Sequence, residues 1–206
     1  MSEGDNSISL QFRSEEVYTP EEDTFLLLKA ALAEARPEDR ALEIGCGSGF
    51  ISLELALRVR SLLATDINPN AVRATKAKTI EAKATRVKGI EVVRADLFQG
   101  IGGKFDLIIF NPPYLPTTVA ERNDQWINYA LDGGESGRET IDRFLKCLPD
   151  HLLPGGRALL LISSLTGLKD VQEMAIAAGL TVNTVASVGC FFEKLYVLRL
   201  EVAHKH

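Results

Sequence analysis

The chain of 206 residues predicts an α/β protein: a doubly wound, seven-stranded, mostly parallel sheet with an antiparallel last strand. Three observations lead there. Short apolar runs at 41–44, 62–65, 90–93, 105–110 and 157–162 are too brief for helices, and their Ile, Val and Phe suit strands buried on both faces. Stretches of helical period separate most of these runs. Two closing runs, 180–188 and 195–202, flank Gly189-Cys190-Phe191-Phe192-Glu193, as an antiparallel pair would.

The elements follow in order. Thr19 reads as an N-cap, Pro20 as the first helical position and Glu22 as the capping-box acid, opening an amphipathic helix that ends near Pro37. Helices are expected at 50–60 and 69–86. Another is capped by Ser136 with Glu139 at the box position, and its Ile141, Phe144, Leu145 and Leu148 share one face. The last begins near Leu168 and stops at Gly179. Neither a repeat nor a Gly/Ser-rich linker divides the chain, so 1–16 reads as a flexible N-terminal segment and 17–206 as one domain.

Composition excludes several classes. The net charge, 23 − 28 = −5, opposes a wholesale grip on nucleic acid, although 73–94 holds seven basic against two acidic residues. Without interleaved aromatics, that stretch reads as a solvated helix face. No apolar run reaches the ~18 residues of a membrane span. The start, Met1-Ser2-Glu3-Gly4-Asp5, is acidic where a leader would be basic, so a cytoplasmic location is expected. Cys46, Cys147 and Cys190 are odd in number and widely spaced, indicating neither a disulfide framework nor a metal site.

In such a sheet the ligand lies at the carboxyl ends of the strands. The first strand runs into Glu43-Ile44-Gly45-Cys46-Gly47-Ser48-Gly49-Phe50, a glycine loop that lets a ligand approach the backbone. Phe50 stands where neither the dinucleotide fingerprint nor a nucleophile elbow is satisfied. Gly45, Gly47 and Gly49 behind Glu43 suit the amino-acid end of S-adenosylmethionine instead. Asp66, 17 positions past Gly49, ends the second strand, where a carboxylate can accept from both ribose hydroxyls. Asp96 ends the third and would face the adenine amino group, with Leu97 or Phe98 against the ring.

The most specific element is Asn111-Pro112-Pro113-Tyr114, directly after the fourth strand. Two prolines stiffen the turn, so that the Asn111 side-chain oxygen and the Pro112 carbonyl can each accept a hydrogen from one planar NH2 group, with Tyr114 packed on its face. Such a site selects an amide or an exocyclic amine. The histidines lie away from these motifs, which opposes a Ser/His/Asp hydrolase.

Together with the Tyr18-Thr19-Pro20-Glu21-Glu22-Asp23-Thr24 segment and Gly133-Gly134-Glu135-Ser136-Gly137-Arg138-Glu139, these motifs resemble a class I S-adenosylmethionine-dependent methyltransferase of Rossmann-like fold. More narrowly, the chain resembles the HemK-type glutamine methyltransferases of translation termination factors, in their single-domain archaeal and eukaryotic form. The resemblance implies that Tyr18, Thr24, Glu43, Gly45, Gly47, Gly49, Asp66, Ile67, Asp96, Leu97 and Asn111 line the cofactor site, and that Asn111, Pro112 and Tyr114 carry the catalysis. It implies a Gly-Gly-Gln release factor as substrate and a small zinc-binding activator protein as partner, adding a strand beside 89–93. Adenine in DNA or RNA, or a protein lysine, stays open as the acceptor, and a noncatalytic scaffold is the alternative from another class.

Overall fold

The computed structural model describes Val17 and residues 20–83, 89–114 and 133–203. The leading segment 1–16, Tyr18 and the Thr19 cap lie outside the described residues.

Helix α1 (Glu22–Glu34) precedes β1 (Arg40–Ile44), α2 (Phe50–Leu55), β2 (Ser61–Asp66), α3 (Pro69–Lys83), β3 (Ile90–Arg94) and β4 (Phe105–Phe110). Then come α4 (Glu139–His151), β5 (Leu152–Ser163), a short 3-10 turn, α5 (Leu168–Ala177), β6 (Leu180–Gly189) and β7 (Lys194–Val202). The seven strands lie in the order β3-β2-β1-β4-β5-β7-β6. β7 runs antiparallel between β5 and β6, while β1 to β5 pair in parallel. The expected doubly wound sheet and its antiparallel last strand are both present.

Sequence order reverses between β1 and β4, so the chain leaves these neighbours in opposite directions and opens a crevice above their carboxyl ends. One face of the sheet buries Leu27, Ala41, Leu55, Leu107, Leu159 and Val197; the other buries Leu42, Ile108, Phe144, Leu145, Leu160 and Leu198. The central strands are therefore apolar at nearly every position. At the opposite, amino end of the strands, fully buried Arg157 donates to both Asp39 carboxylate oxygens, at 2.9 and 2.7 Å, and to the carbonyls of Asp106 and Glu34.

Helix boundaries depart from expectation where tertiary turns compete. α1 starts at Glu22 with Glu21 at its N-cap and no side-chain cap, so Pro20 precedes the helix. α2 stops at Leu55 and continues as turns, because Arg60 and Ser61 must donate to the Asp39 carbonyl to begin β2. The cap of α4 is Arg138, not Ser136. Gly134 and Gly137, both at positive φ, close a tight turn in which Glu139 accepts from the Glu135 amide, so the box acid is spent on the loop before the helix. No helix among the described residues is long and apolar enough to cross a membrane.

Candidate active site

A cavity of about 290 Å³ sits at the switch point, walled by the ends of β1, β2 and β4, by the 95–97 turn and by the start of α1. Each wall follows from its sequence. After Ile44 the Cys46 amide still donates to the Thr65 carbonyl, and the chain then turns through left-handed Gly45, Gly47 and Gly49 into α2. A Cβ on Gly49 would lie 2.8 Å from Thr75, whose hydroxyl donates to the Gly47 carbonyl. Gly49 therefore shapes the loop from behind, whereas Gly45 and Gly47 line the cavity. Lys78, from the basic stretch, donates to the Ser48 carbonyl at 2.8 Å, so this cation braces the loop.

Asp66 ends β2 and accepts from the amides of Gly47 (2.9 Å) and Asn68 (2.8 Å), tying two strand ends together. Burial raises its carboxyl above the usual value, and those amides oppose the rise. Glu43 is buried beside it and accepts from the Ser52 hydroxyl; burial pushes its carboxyl to about 8, against that bond and assisted by the Asp66 charge. Ile67, Thr24 and Leu97 line the same space. Leu97 has φ 51, a left-handed conformation costly for a branched side chain, and it turns the chain after Asp96. Phe98 turns away from the cavity and stacks on Phe144 (5.6 Å) and His151 (4.1 Å), so of the two expected ring contacts Leu97 alone faces the cavity.

Asn111 follows β4 directly. Its side-chain nitrogen donates to Asp23 Oδ2 at 2.9 Å, and its buried Oδ1 has no hydrogen-bond partner among the described residues. An unpaired buried acceptor is costly, and it is also a place prepared for a donor. Asp23 settles the direction of the amide, since only the nitrogen can donate to a carboxylate. Pro112 and Tyr114 line the cavity beside it. Burial, then the Asp23 charge, raises the Tyr114 hydroxyl, which keeps it neutral. Tyr114 and Asp23 also border a second hollow with Glu21, Glu22 and Glu193.

Of the expected site residues, Thr24, Glu43, Gly45, Gly47, Asp66, Ile67, Asp96, Leu97, Asn111, Pro112 and Tyr114 converge on one cavity; Tyr18 lies outside the described residues. Sequence reasoning gave no site role to Asp23, which stood only within the Tyr18–Thr24 motif, nor to Arg143, 47 positions from the Asp96 it touches. Even with Glu43 protonated, Asp23, Asp66 and Asp96 outnumber Arg143 around the cavity, so it favours a cationic ligand and repels a pyrophosphate.

The acidic cleft and the rigid amide lie together at the switch point of a doubly wound sheet, where α/β proteins of this architecture bind their ligands. The family model for the methyltransferase small domain matches residues 20–126, and the chain belongs to that family of methyltransferases. It is 44% identical over 184 residues, 89% of this chain and 90% of the other, to a Methanocaldococcus jannaschii protein provisionally named a protein N5-glutamine methyltransferase. It is 37% identical to the Homo sapiens methyltransferase HEMK2 over 89% of both chains. Among solved structures, the E. cuniculi Mtq2–Trm112 complex, described as responsible for methylation of the eRF1 translation termination factor, matches with TM-score 0.72 and 28% identity, covering 91% of this chain and 99% of that one.

Proposed function

We propose that this methyltransferase moves a methyl group from S-adenosylmethionine to the side-chain amide nitrogen of a glutamine in the Gly-Gly-Gln segment of a translation termination factor. The single observation that carries the reading is the orphaned Asn111 oxygen, buried at the cavity wall and aimed by Asp23. The names of the relatives support the substrate class.

Bound S-adenosylmethionine would supply an electrophilic methyl carbon on a sulfonium. Toward it, Asp66 would accept from the ribose hydroxyls, Asp96 from the adenine amine, and Glu43 would balance the ammonium charge. The acidic lining suits both cationic centres of this cofactor. Asn111 Oδ1 and the Pro112 carbonyl would hold the two hydrogens of the acceptor amide, fixing the nitrogen and favouring the positive charge it gains on attack. Tyr114, neutral and half-buried, would pack on the amide plane. Once methylated, the nitrogen is acidic enough to pass a proton to a carbonyl or water, so these residues need no histidine base.

The chemistry would be carried by one domain over 17–206, in the cytoplasm. A small zinc-binding activator would pair with β3, the outer strand on its side of the sheet, whose far backbone edge meets no other strand among the described residues. Mass mapping of labelled methyl on a purified termination factor tests the reading. One methyl on the Gly-Gly-Gln glutamine, and none on its Gln→Ala form, is expected; equal labelling of the Gln→Ala form, or preferential labelling of adenine or lysine, refutes the amide assignment.

A further inference from the structure

Asp96 has a tightly defined backbone. The Ala95 amide extends the β2 ladder to the Asp66 carbonyl at 3.0 Å, and the Gln99 amide closes a turn on the Asp96 carbonyl at 3.0 Å. What remains free is the direction of the carboxylate. Arg143 reaches it from α4, which is itself anchored by buried Ile141, Phe144 and Leu145. Its Nη2 lies 2.7 Å from Asp96 Oδ2, and both side chains line the cavity. The other donor to this carboxylate, Gln99 Nε2 at 3.4 Å, falls on the same oxygen. Among the described contacts Oδ1 therefore stays available to a ligand.

We propose that Arg143 is a positioning residue that sets nucleobase specificity: by engaging Oδ2 it presents Oδ1 of Asp96 to an exocyclic amino group, so that a 6-amino purine is taken over a 6-oxo purine. The role rests on the cofactor reading above. A carboxylate only accepts, so it rewards the amine and meets a 6-oxo group as acceptor against acceptor. Without Arg143 the carboxylate must be ordered by the ligand itself, and that ordering cost is subtracted from binding. The pair is half-exposed, Arg143 at 50% and Asp96 at 30%, so it adds little to folding and its loss leaves the fold intact.

Titration calorimetry with S-adenosylhomocysteine and S-inosylhomocysteine separates this role from general packing. For Arg143→Ala, affinity for the adenosyl ligand should fall about five- to tenfold while that for the inosyl ligand stays within about twofold. Arg143→Lys should restore part of the preference. In an Asp96→Asn background, Arg143→Ala should have no further effect, because the two residues act as one unit. A parent chain that binds S-adenosylhomocysteine, with Arg143→Ala unchanged or equally weakened for both ligands, overturns this role alone. A parent that binds neither ligand overturns the cofactor reading and this role with it.

Discussion

At Asp66, two backbone amides from different strand ends converge on one carboxylate, so the residue both builds the cleft and faces it. Asp66→Ala should weaken S-adenosylmethionine by ~1.5–3 kcal/mol, roughly 10- to 150-fold, as read by calorimetry. Glu43 makes a pH prediction. Its folded value of about 8 lies above the ordinary 4.5, so the folded chain retains a proton that the unfolded chain releases between those values. The unfolded state binds fewer protons there, and stability falls as pH rises through that window. A cationic ligand favours the ionised carboxylate, so binding should release a proton and strengthen with pH up to about 8. Calorimetry in buffers of different ionisation enthalpy should detect that proton for the parent and not for Glu43→Gln. The Asn111-Pro112-Pro113-Tyr114 and glycine-loop residues were legible because their chemistry is contiguous in the chain. Asp23 was not, since its partner Asn111 is 88 positions away and an acid in the first turn of a helix already has a sufficient reason in the helix dipole.

Elements were legible where one force dominates. β4 matches its apolar run residue for residue, being buried at five of six positions. β5 is longer than its apolar run because it takes in Leu152 to Gly156 across a register shift opposite Phe105 and Leu107, an irregularity with no signature in hydrophobic pattern. The missed cap of α4 has a local cause: the box acid that sequence assigns to the helix end is claimed by the turn before it. The loop between β1 and α2 offers a direct test. Gly49→Ala imposes a left-handed φ of 77° on a side chain and drives its Cβ against Thr75. It should cost about 2–4 kcal/mol of stability from backbone strain and overpacking together. Because Thr75→Ala also loses the bond to the Gly47 carbonyl, the double variant is compared with Thr75→Ala alone, where Gly49→Ala should cost only the backbone part; thermal unfolding of the parent, single and double variants measures both.

Across the whole molecule, the two ends of the sheet divide the labour. The carboxyl ends hold the acidic cleft, and the amino ends hold the buried Arg157–Asp39 pair, which bridges the segments before β1 and within β5. Asp39→Ala removes the bidentate partner of a buried guanidinium, leaving it the Glu34 carboxylate 3.5 Å from Nε, and should cost about 3 kcal/mol in denaturant unfolding. Cofactor affinity, measured well below the transition, should not change, because among the described residues no cavity residue hydrogen-bonds to Arg157. The central claim is that Asn111 offers a prepared acceptor oxygen to the reacting NH2 group. Single-turnover methyl transfer to a Gly-Gly-Gln termination factor tests it most directly. Asn111→Ala should lower the rate ~10²- to 10³-fold, by analogy with loss of one preorganised donor to a reacting oxyanion, while cofactor affinity falls far less. A parent-like rate in Asn111→Ala, at saturating cofactor, would contradict the account.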